Sequence, residues 1–179
     1  MNIKVVKLKD ISRIIINEPK TYNSLSFKNL NDLIKVFKKL DEDRKTKVII
    51  LEGAGKGFSA GHNLKEVRNL KSKKKYQRLF NLCSKLMLRI VEGRKPVIAK
   101  VHGAAYAAGC QLVASCDLAY STKEALFATP GVNIGLFCST PMVAVSRKVN
   151  RKPMMKMLLT GDPILSLIHI SEPTRHSAI

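Results

Sequence analysis

His102-Gly103-Ala104-Ala105-Tyr106-Ala107-Ala108-Gly109-Cys110-Gln111 follows Val97-Ile98-Ala99-Lys100-Val101 without a break, and that junction decides how the chain is read. The first five residues, apolar and partly β-branched, bounded by Pro96 and His102-Gly103, read as a buried strand. The small-residue run after them opens a helix expected from about Ala108 to Cys116. A strand that enters a helix through glycine and alanine leaves the first helical N–H groups unbonded and lets a ligand approach the main chain. A second stretch of this character, Phe58-Ser59-Ala60-Gly61-His62-Asn63-Leu64-Lys65-Glu66, lies upstream. Each run alone is equally consistent with close helix–strand packing. Two such turns facing each other would form an oxyanion hole, worth about 3–4 kcal/mol per donor.

Working outward, Lys4–Leu8 and Ile11–Asn17 read as two strands joined at Lys9-Asp10. Ser26 offers an N-cap to a helix whose apolar face carries Phe27, Leu30, Leu33, Ile34, Phe37 and Leu40. Val48–Leu51 is a buried strand closed by the glycine-punctuated Glu52–Gly57. A longer helix follows the lysine run, with Tyr76, Leu79, Phe80, Cys83, Met87, Ile90 and Val91 at helical spacing; these are core positions, not a cofactor box. Short strands at Leu118–Ser121 and Leu126–Ala128 precede helical patterns around Val143–Val149 and Met154–Leu159. Strand–strand–helix units thus repeat, which predicts an α/β or α+β spiral of small ββα units.

At 179 residues, 45% of them hydrophobic, the chain can bury one substantial core. No apolar run is long enough to span a bilayer. The N-terminus enters a strand pattern almost at once, so neither a secretory signal nor a transit peptide is expected in this chain. The net charge of +19 raises nucleic acid as a partner. Against that, the basic residues are dispersed, with one tight run at Lys71–Lys75, and interleaved aromatics are lacking; a lysine-rich background is the better account. Cys83, Cys110, Cys116 and Cys138 show no C-x-x-C pairing. Reduced thiols are expected rather than zinc, and no metal site is assigned.

The end of the chain is set aside. Leu165-Ser166-Leu167-Ile168-His169-Ile170-Ser171-Glu172-Pro173-Thr174-Arg175 reads as the translation of a transposon-end adapter used in sequencing libraries. Residues 165–179 are therefore expected to be a non-native tail, and residues 1–164 a truncated acyl-CoA-binding core.

The two glycine-rich stretches, taken in order with Asn17-Glu18-Pro19-Lys20-Thr21-Tyr22-Asn23-Ser24-Leu25, Cys116-Asp117-Leu118, Phe127-Ala128-Thr129-Pro130-Gly131 and Leu159-Thr160-Gly161, resemble the motifs of the crotonase (enoyl-CoA hydratase/isomerase) superfamily. The resemblance runs from about Ile3 to Ile164 and is nearest to the hydratase-domain-containing branch. It implies a crotonase/ClpP-like spiral without its C-terminal helical trimerisation region, and an acyl-CoA thioester as ligand. It implies no cofactor beyond the CoA moiety of that substrate. It further implies a homotrimer or hexamer in the full-length protein, and a mitochondrial location, or otherwise a cytoplasmic one.

By that resemblance the oxyanion donors are the backbone N–H groups of His62 and Ala108. Ala60, His62, Asn63, Leu64 and Lys65 line the thioester path, and Lys20 and Tyr22 meet the nucleotide end of CoA. Lysine there could pair with a phosphate or simply face water. The family's hydratases carry two glutamates where this chain has Gln111 and Gly131. Gln111 can orient a water but cannot take a proton, and Gly131 has no side chain. Hydration is therefore not expected, and three functions stay open: an enolate-stabilising enzyme such as an acyl-CoA decarboxylase, a non-catalytic acyl-CoA binder, and, remotely, a nucleic-acid binder. The side chain of His62 is expected to be an exposed ring beside its donor N–H, the alternative being a proton donor to an enolate. Cys138 is expected to be an inert buried thiol.

Overall fold

The ββα units divide their strands between two sheets. The computed structural model describes residues 2–165. Strands β1 (Ile3–Leu8) and β2 (Ile11–Ile16) pair antiparallel and lead into α1 (Phe27–Glu42). The next unit runs β3 (Val48–Gly53), the short α2 (Leu64–Arg68) and α3 (Lys73–Val91). Then come β4 (Val97–Val101), β5 (Ala104–Tyr106) and α4 (Ala108–Ser115), followed by β6 (Leu118–Ser121), β7 (Leu126–Ala128) and α5 (Ser139–Val145). Helix α6 (Arg151–Thr160) and the two-residue β8 (Ile164–Leu165) close the described chain.

The larger sheet has the order β1-β2-β3-β4-β6 and the smaller β5-β7-β8. From β2 onward the large sheet is parallel, so each return crosses over through a helix. The first strand of every unit joins the large sheet. The second strands of the later units, β5 and β7, pair in parallel in the small one. A single parallel bridge from Ser59 to Ala105 gives the second unit its equivalent of that strand. The expected ββα spiral is therefore the architecture.

Between the helices and the large sheet lies the core. The stripe Leu30, Leu33, Phe37 and Leu40 of α1 is buried, as are Leu79, Cys83, Leu86 and Ile90 of α3. They meet strand residues such as Ile14, Ile16, Leu51 and Ala99, all inaccessible to solvent. Each leucine so buried contributes about 1.5–3 kcal/mol. The helix ends are closed by side chains: the Ser26 hydroxyl accepts from Asn29 N–H at the start of α1, and Ser72 accepts from Lys75 N–H at the start of α3. Lys95 Nζ donates to the carbonyls of Leu40 and Asp43 at the C-terminal end of α1, where a cation complements the helix dipole.

Four expectations change. Val91, expected in the core, is exposed at the C-terminal end of α3. Residues 104–106 form strand β5, not the entry to a helix, because pairing with β7 and Ser59 overrides their small size. Helix α5 begins at Ser139 and not near Val143; Pro141 fits because first-turn N–H groups have no intrahelical acceptor to lose. Strand β2 ends at Ile16 rather than Asn17. Leu165 pairs with Leu126 in β8, and the remainder of the expected tail lies outside the described residues. Among the described residues no helix is long and apolar enough to cross a membrane.

Candidate functional site

Two turns, one ahead of α2 and one ahead of α4, are pressed together. The Tyr106 N–H donates to Ser59 O at 2.9 Å and the Ser59 N–H to Ala104 O at 3.0 Å. Gly61 has φ +86°, and a Cβ placed on it would stand 3.0 Å from the Ala108 nitrogen and 2.8 Å from the Tyr106 carbonyl oxygen. A Cβ on Gly109 would collide with the Ser59 carbonyl oxygen. Glycine at both positions is thus what allows main chain to touch main chain.

Ala107 carries the strain of this junction. It is the N-cap of α4 with φ 49° and ψ −118°, a conformation rare for a residue with a Cβ, and it makes no side-chain cap. Its own N–H is held by the Ala128 carbonyl at 2.8 Å. The twist presents the Ala108 N–H, the first of α4, with no acceptor among the described residues. The His62 N–H likewise donates to none of them, although its neighbour Gly61 O accepts from Leu25 N–H at 2.7 Å. Two free donors therefore sit on adjoining turns, one of them at the positive end of a helix. Such an arrangement stabilises negative charge developing on an oxygen.

The His62 ring corrects an expectation. It is packed edge-on against Phe80 of α3, with centroids 5.6 Å apart, instead of facing solvent. Nδ1 lies 3.3 Å from the Leu25 carbonyl oxygen, and Nε2 is buried without a partner. Because a carbonyl only accepts, the proton sits on Nδ1. Burial pushes the imidazole pKa below its ordinary 6.5, with the Leu25 hydrogen bond opposing in part. The ring is neutral at pH 7, so Nε2 is an acceptor and has no proton to give.

The remaining sequence-selected residues separate into groups. Lys20 lies in a 3-10 turn, Pro19–Thr21, and is exposed; Tyr22 follows it in a left-handed conformation and is also exposed. Both are tied to the first turn through the backbone, since Ala60 N–H donates to Tyr22 O at 2.9 Å. Asn63 spends its side chain as the N-cap of α2, accepting from Lys65 and Glu66 N–H. Ala60, Leu64 and Lys65 are exposed at the same turn. Gln111 lies one turn beyond Ala108 in α4, 6% exposed, its Oε1 buried and unpartnered. Gly131 is buried in the 3-10 turn Pro130–Ile134. A Cβ there would overlap the Leu136 carbonyl oxygen and come within 2.8 Å of Cys138 Sγ. All four cysteines are free and buried. Cys83 and Cys110 are pushed up to about 12 by burial, and Cys138 is also raised by burial, less its Gly131 N–H contact; none is a thiolate at pH 7.

One organising residue escaped the sequence reading. Asn23 is fully buried and left-handed; its Nδ2 donates to Ala54 O and Gly57 O at 2.8 Å, and its Oδ1 accepts from Glu18 N–H at 2.9 Å. It staples the Lys20–Tyr22 turn to the loop that feeds Ser59. The available signal was an Asn beside Ser in a loop, a residue type that tolerates left-handed backbone. A cavity of about 380 Å³ lies elsewhere, between α4, β6 and α6, with Val113, Leu118, Val145 and Met157 in its apolar wall. Among the described residues no group of three or more His, Cys, Asp or Glu is placed to hold a metal ion.

Comparison with known proteins matches this geometry to a family. The enoyl-CoA hydratase/isomerase family model matches residues 7–166. Enoyl-CoA hydratase domain-containing protein 3, mitochondrial, of Xenopus laevis is 49% identical over 154 residues, 86% of this chain and 52% of that protein. The crystal structure of human enoyl coenzyme A hydratase domain-containing protein 3 superimposes with TM-score 0.91 at 44% identity, covering 94% of this chain and 68% of that one. The enoyl-CoA hydratase of Mycobacterium smegmatis gives TM-score 0.91 at 44% identity, over 93% of this chain and 65% of that one. The chain spans about half the length of the curated relatives it matches. On the adjoining donor turns, the ββα spiral and these matches together, the chain belongs to the enoyl-CoA hydratase/isomerase family.

Proposed function

We propose that this protein binds an acyl-CoA thioester and polarises its carbonyl between the backbone N–H groups of His62 and Ala108. One observation carries this: neither N–H group has an acceptor among the described residues, and they lie on turns held together by the Ser59–Tyr106 hydrogen bond. The family's acyl-CoA chemistry supplies the ligand class. The exposed Lys20 and Tyr22, hydrogen-bonded to the first turn through Tyr22 O, are positioned to receive the nucleotide end of CoA. Mitochondrial location follows from the names of the relatives, and trimeric or hexameric assembly from the family resemblance; both are part of the proposal, as is residues 1–164 being the native portion.

Hydration is not part of it. That reaction needs a carboxylate to activate water and a second group to handle the proton. Gln111 and Gly131 stand where the resemblance puts those glutamates, and the Leu136 carbonyl closes the space in which a side chain at 131 would begin. That closure favours a second reading, in which the site holds the thioester without turning it over.

The experiment is to incubate the full chain with crotonyl-CoA, methylmalonyl-CoA and a long-chain enoyl-CoA while measuring affinity and following products by mass spectrometry. Ala108→Pro deletes the donor N–H at the first position of α4, where no intrahelical hydrogen bond is lost. We expect binding that weakens in this variant, and no hydrated product. A product lost in Ala108→Pro establishes an oxyanion-hole enzyme; binding without product establishes the non-catalytic reading. Absence of binding to any ester refutes the proposal.

A further inference from the structure

From Ala125 to Gly161 the chain contains no aspartate or glutamate, yet it carries Arg147, Lys148, Arg151, Lys152 and Lys156. All of these cations are exposed, and none makes an ion pair among the described residues. The same segment leaves large apolar side chains in solvent: Ile134 is 64% exposed, Leu136 53%, Phe137 43% and Leu159 61%.

Helix α6 sorts its residues by face. Met154, Met157 and Leu158 are buried, while Arg151, Lys152, Met155, Lys156 and Leu159 share the outer face. The 3-10 turn Pro130–Ile134 packs against this helix. Thr129 Oγ1 donates to Met157 O at 3.0 Å, and a Cβ on Gly161 would stand 3.0 Å from Asn133 Oδ1. These contacts set the tip Ile134-Gly135-Leu136-Phe137 beside the C-terminal end of α6. A Cβ on Gly135 would meet nothing within 4 Å, so the tip stands in open space.

The apolar tip calls for a partner, and the unpaired cations select which one. A second copy meeting this face about a two-fold axis would set cation against cation. A single-stranded nucleic acid would satisfy the charge, but it would find Phe137 as the one exposed aromatic ring between residues 125 and 161, among aliphatic side chains that offer bases no stacking surface. A bilayer with anionic headgroups satisfies both features at once, because aliphatic side chains enter the headgroup boundary while the cations meet phosphates. No described helix is long and apolar enough to cross a membrane, so the contact is with the bilayer surface.

We infer that the tip Ile134–Phe137 and the outer face of α6 dock this protein on anionic lipid bilayers. The inference stands on exposure and charge and does not need the thioester site.

The sequence contains no tryptophan, so Phe137→Trp places a single fluorophore at the tip. The full chain is titrated with vesicles of phosphatidylcholine alone and of phosphatidylcholine with phosphatidylglycerol. Binding to the anionic vesicles is expected to exceed binding to the neutral ones at least about tenfold, with a blue shift of the emission, and to weaken as salt rises from about 0.05 to 0.5 M. Lys152→Glu with Lys156→Glu should remove most of the binding, and Leu136→Ser should reduce it in part. Lys74→Glu with Lys75→Glu, an equal change of net charge on α3, should leave most of it in place. Equal losses in the two lysine pairs would reduce the binding to net charge and overturn the inference. An emission unmoved by bound vesicles would also overturn it, as would no binding to any vesicle. A single-stranded oligonucleotide bound while vesicles stay free would overturn it in favour of nucleic acid. Self-association that buries the tryptophan without lipid would overturn it in favour of a second copy. Should a lysine pair fail to fold, the tryptophan emission decides alone.

Discussion

The two donor turns and the two positions that flank them are built on opposite principles. At the turns, the proposed function resides in backbone: Gly61 and Gly109 let main chains touch, and Ala107 holds a strained conformation beside the unbonded Ala108 N–H. At Gln111 and Gly131, function would reside in side chains, and there the chain has an amide and no side chain at all. The main-chain hydrogen bonds that hold the turns together, Tyr106 N–H to Ser59 O and Ser59 N–H to Ala104 O, cannot be lost without altering the fold that presents the two free donors. The Gln111 side chain takes no part in those hydrogen bonds and can be exchanged without breaking them. Adjoining donor turns can therefore persist while the side chains beside them change, which is what the proposed thioester reading requires of this chain.

The comparison is broken most severely at its glycines. Gly109→Val should cost several kcal/mol and abolish thioester binding, because the new Cβ collides with the Ser59 carbonyl, which is backbone and cannot swing aside. Chemical denaturation together with ester titration reads both effects. Next is Asn23→Leu, which removes the acceptor of one hydrogen bond and the donors of two more; about 2–4 kcal/mol of stability should be lost, with CoA affinity falling as the Lys20–Tyr22 turn comes loose.

Placing carboxylates at 111 and 131 should do nothing for activity. Gln111→Glu is expected to leave hydration of crotonyl-CoA at background, since no second carboxylate stands at 131. Gly131→Glu should also destabilise by several kcal/mol, because its Cβ overlaps the Leu136 backbone carbonyl, without gaining activity. A hydratase rate in either variant would show that side-chain identity alone had been missing.

The smallest effect is electrostatic. His62 has a folded-state pKa lowered from 6.5, chiefly by burial, so the unfolded chain takes up the proton first as pH falls. The stability tied to the neutral ring is complete above pH 6.5 and declines as pH drops from there towards the depressed folded value. Melting curves between pH 7.5 and 5 should show this slope in the wild type and a shallower one in His62→Phe.

Long periodic elements were legible because their signal is local. The stripes Leu30–Leu33–Phe37 and Leu79–Cys83–Leu86 became buried faces, and Ser26 became the N-cap anticipated for α1. Strand β5 was not legible, since alanine has little strand preference and residues 104–106 are fixed by partners more than twenty residues away along β7. The donor turns were visible as glycine–alanine runs; their contact, and the strain at Ala107, are tertiary facts. The buried His62 ring depends on Phe80, one helix further on, and the triple role of Asn23 depends on carbonyls beyond β3. Side-chain environment therefore fails to show in the sequence wherever the partner is distant, even when the backbone motif is plain.

The most direct test of the thioester account is the carbonyl stretch of carbonyl-13C-labelled butyryl-CoA, measured by isotope-edited infrared difference spectroscopy on the bound complex. Two N–H donors on the oxygen should move the band to lower frequency than in free ester, and Ala108→Pro should return it most of the way. A bound ester whose carbonyl band matches the free one would contradict the account, because the carbonyl would then lie away from both N–H groups.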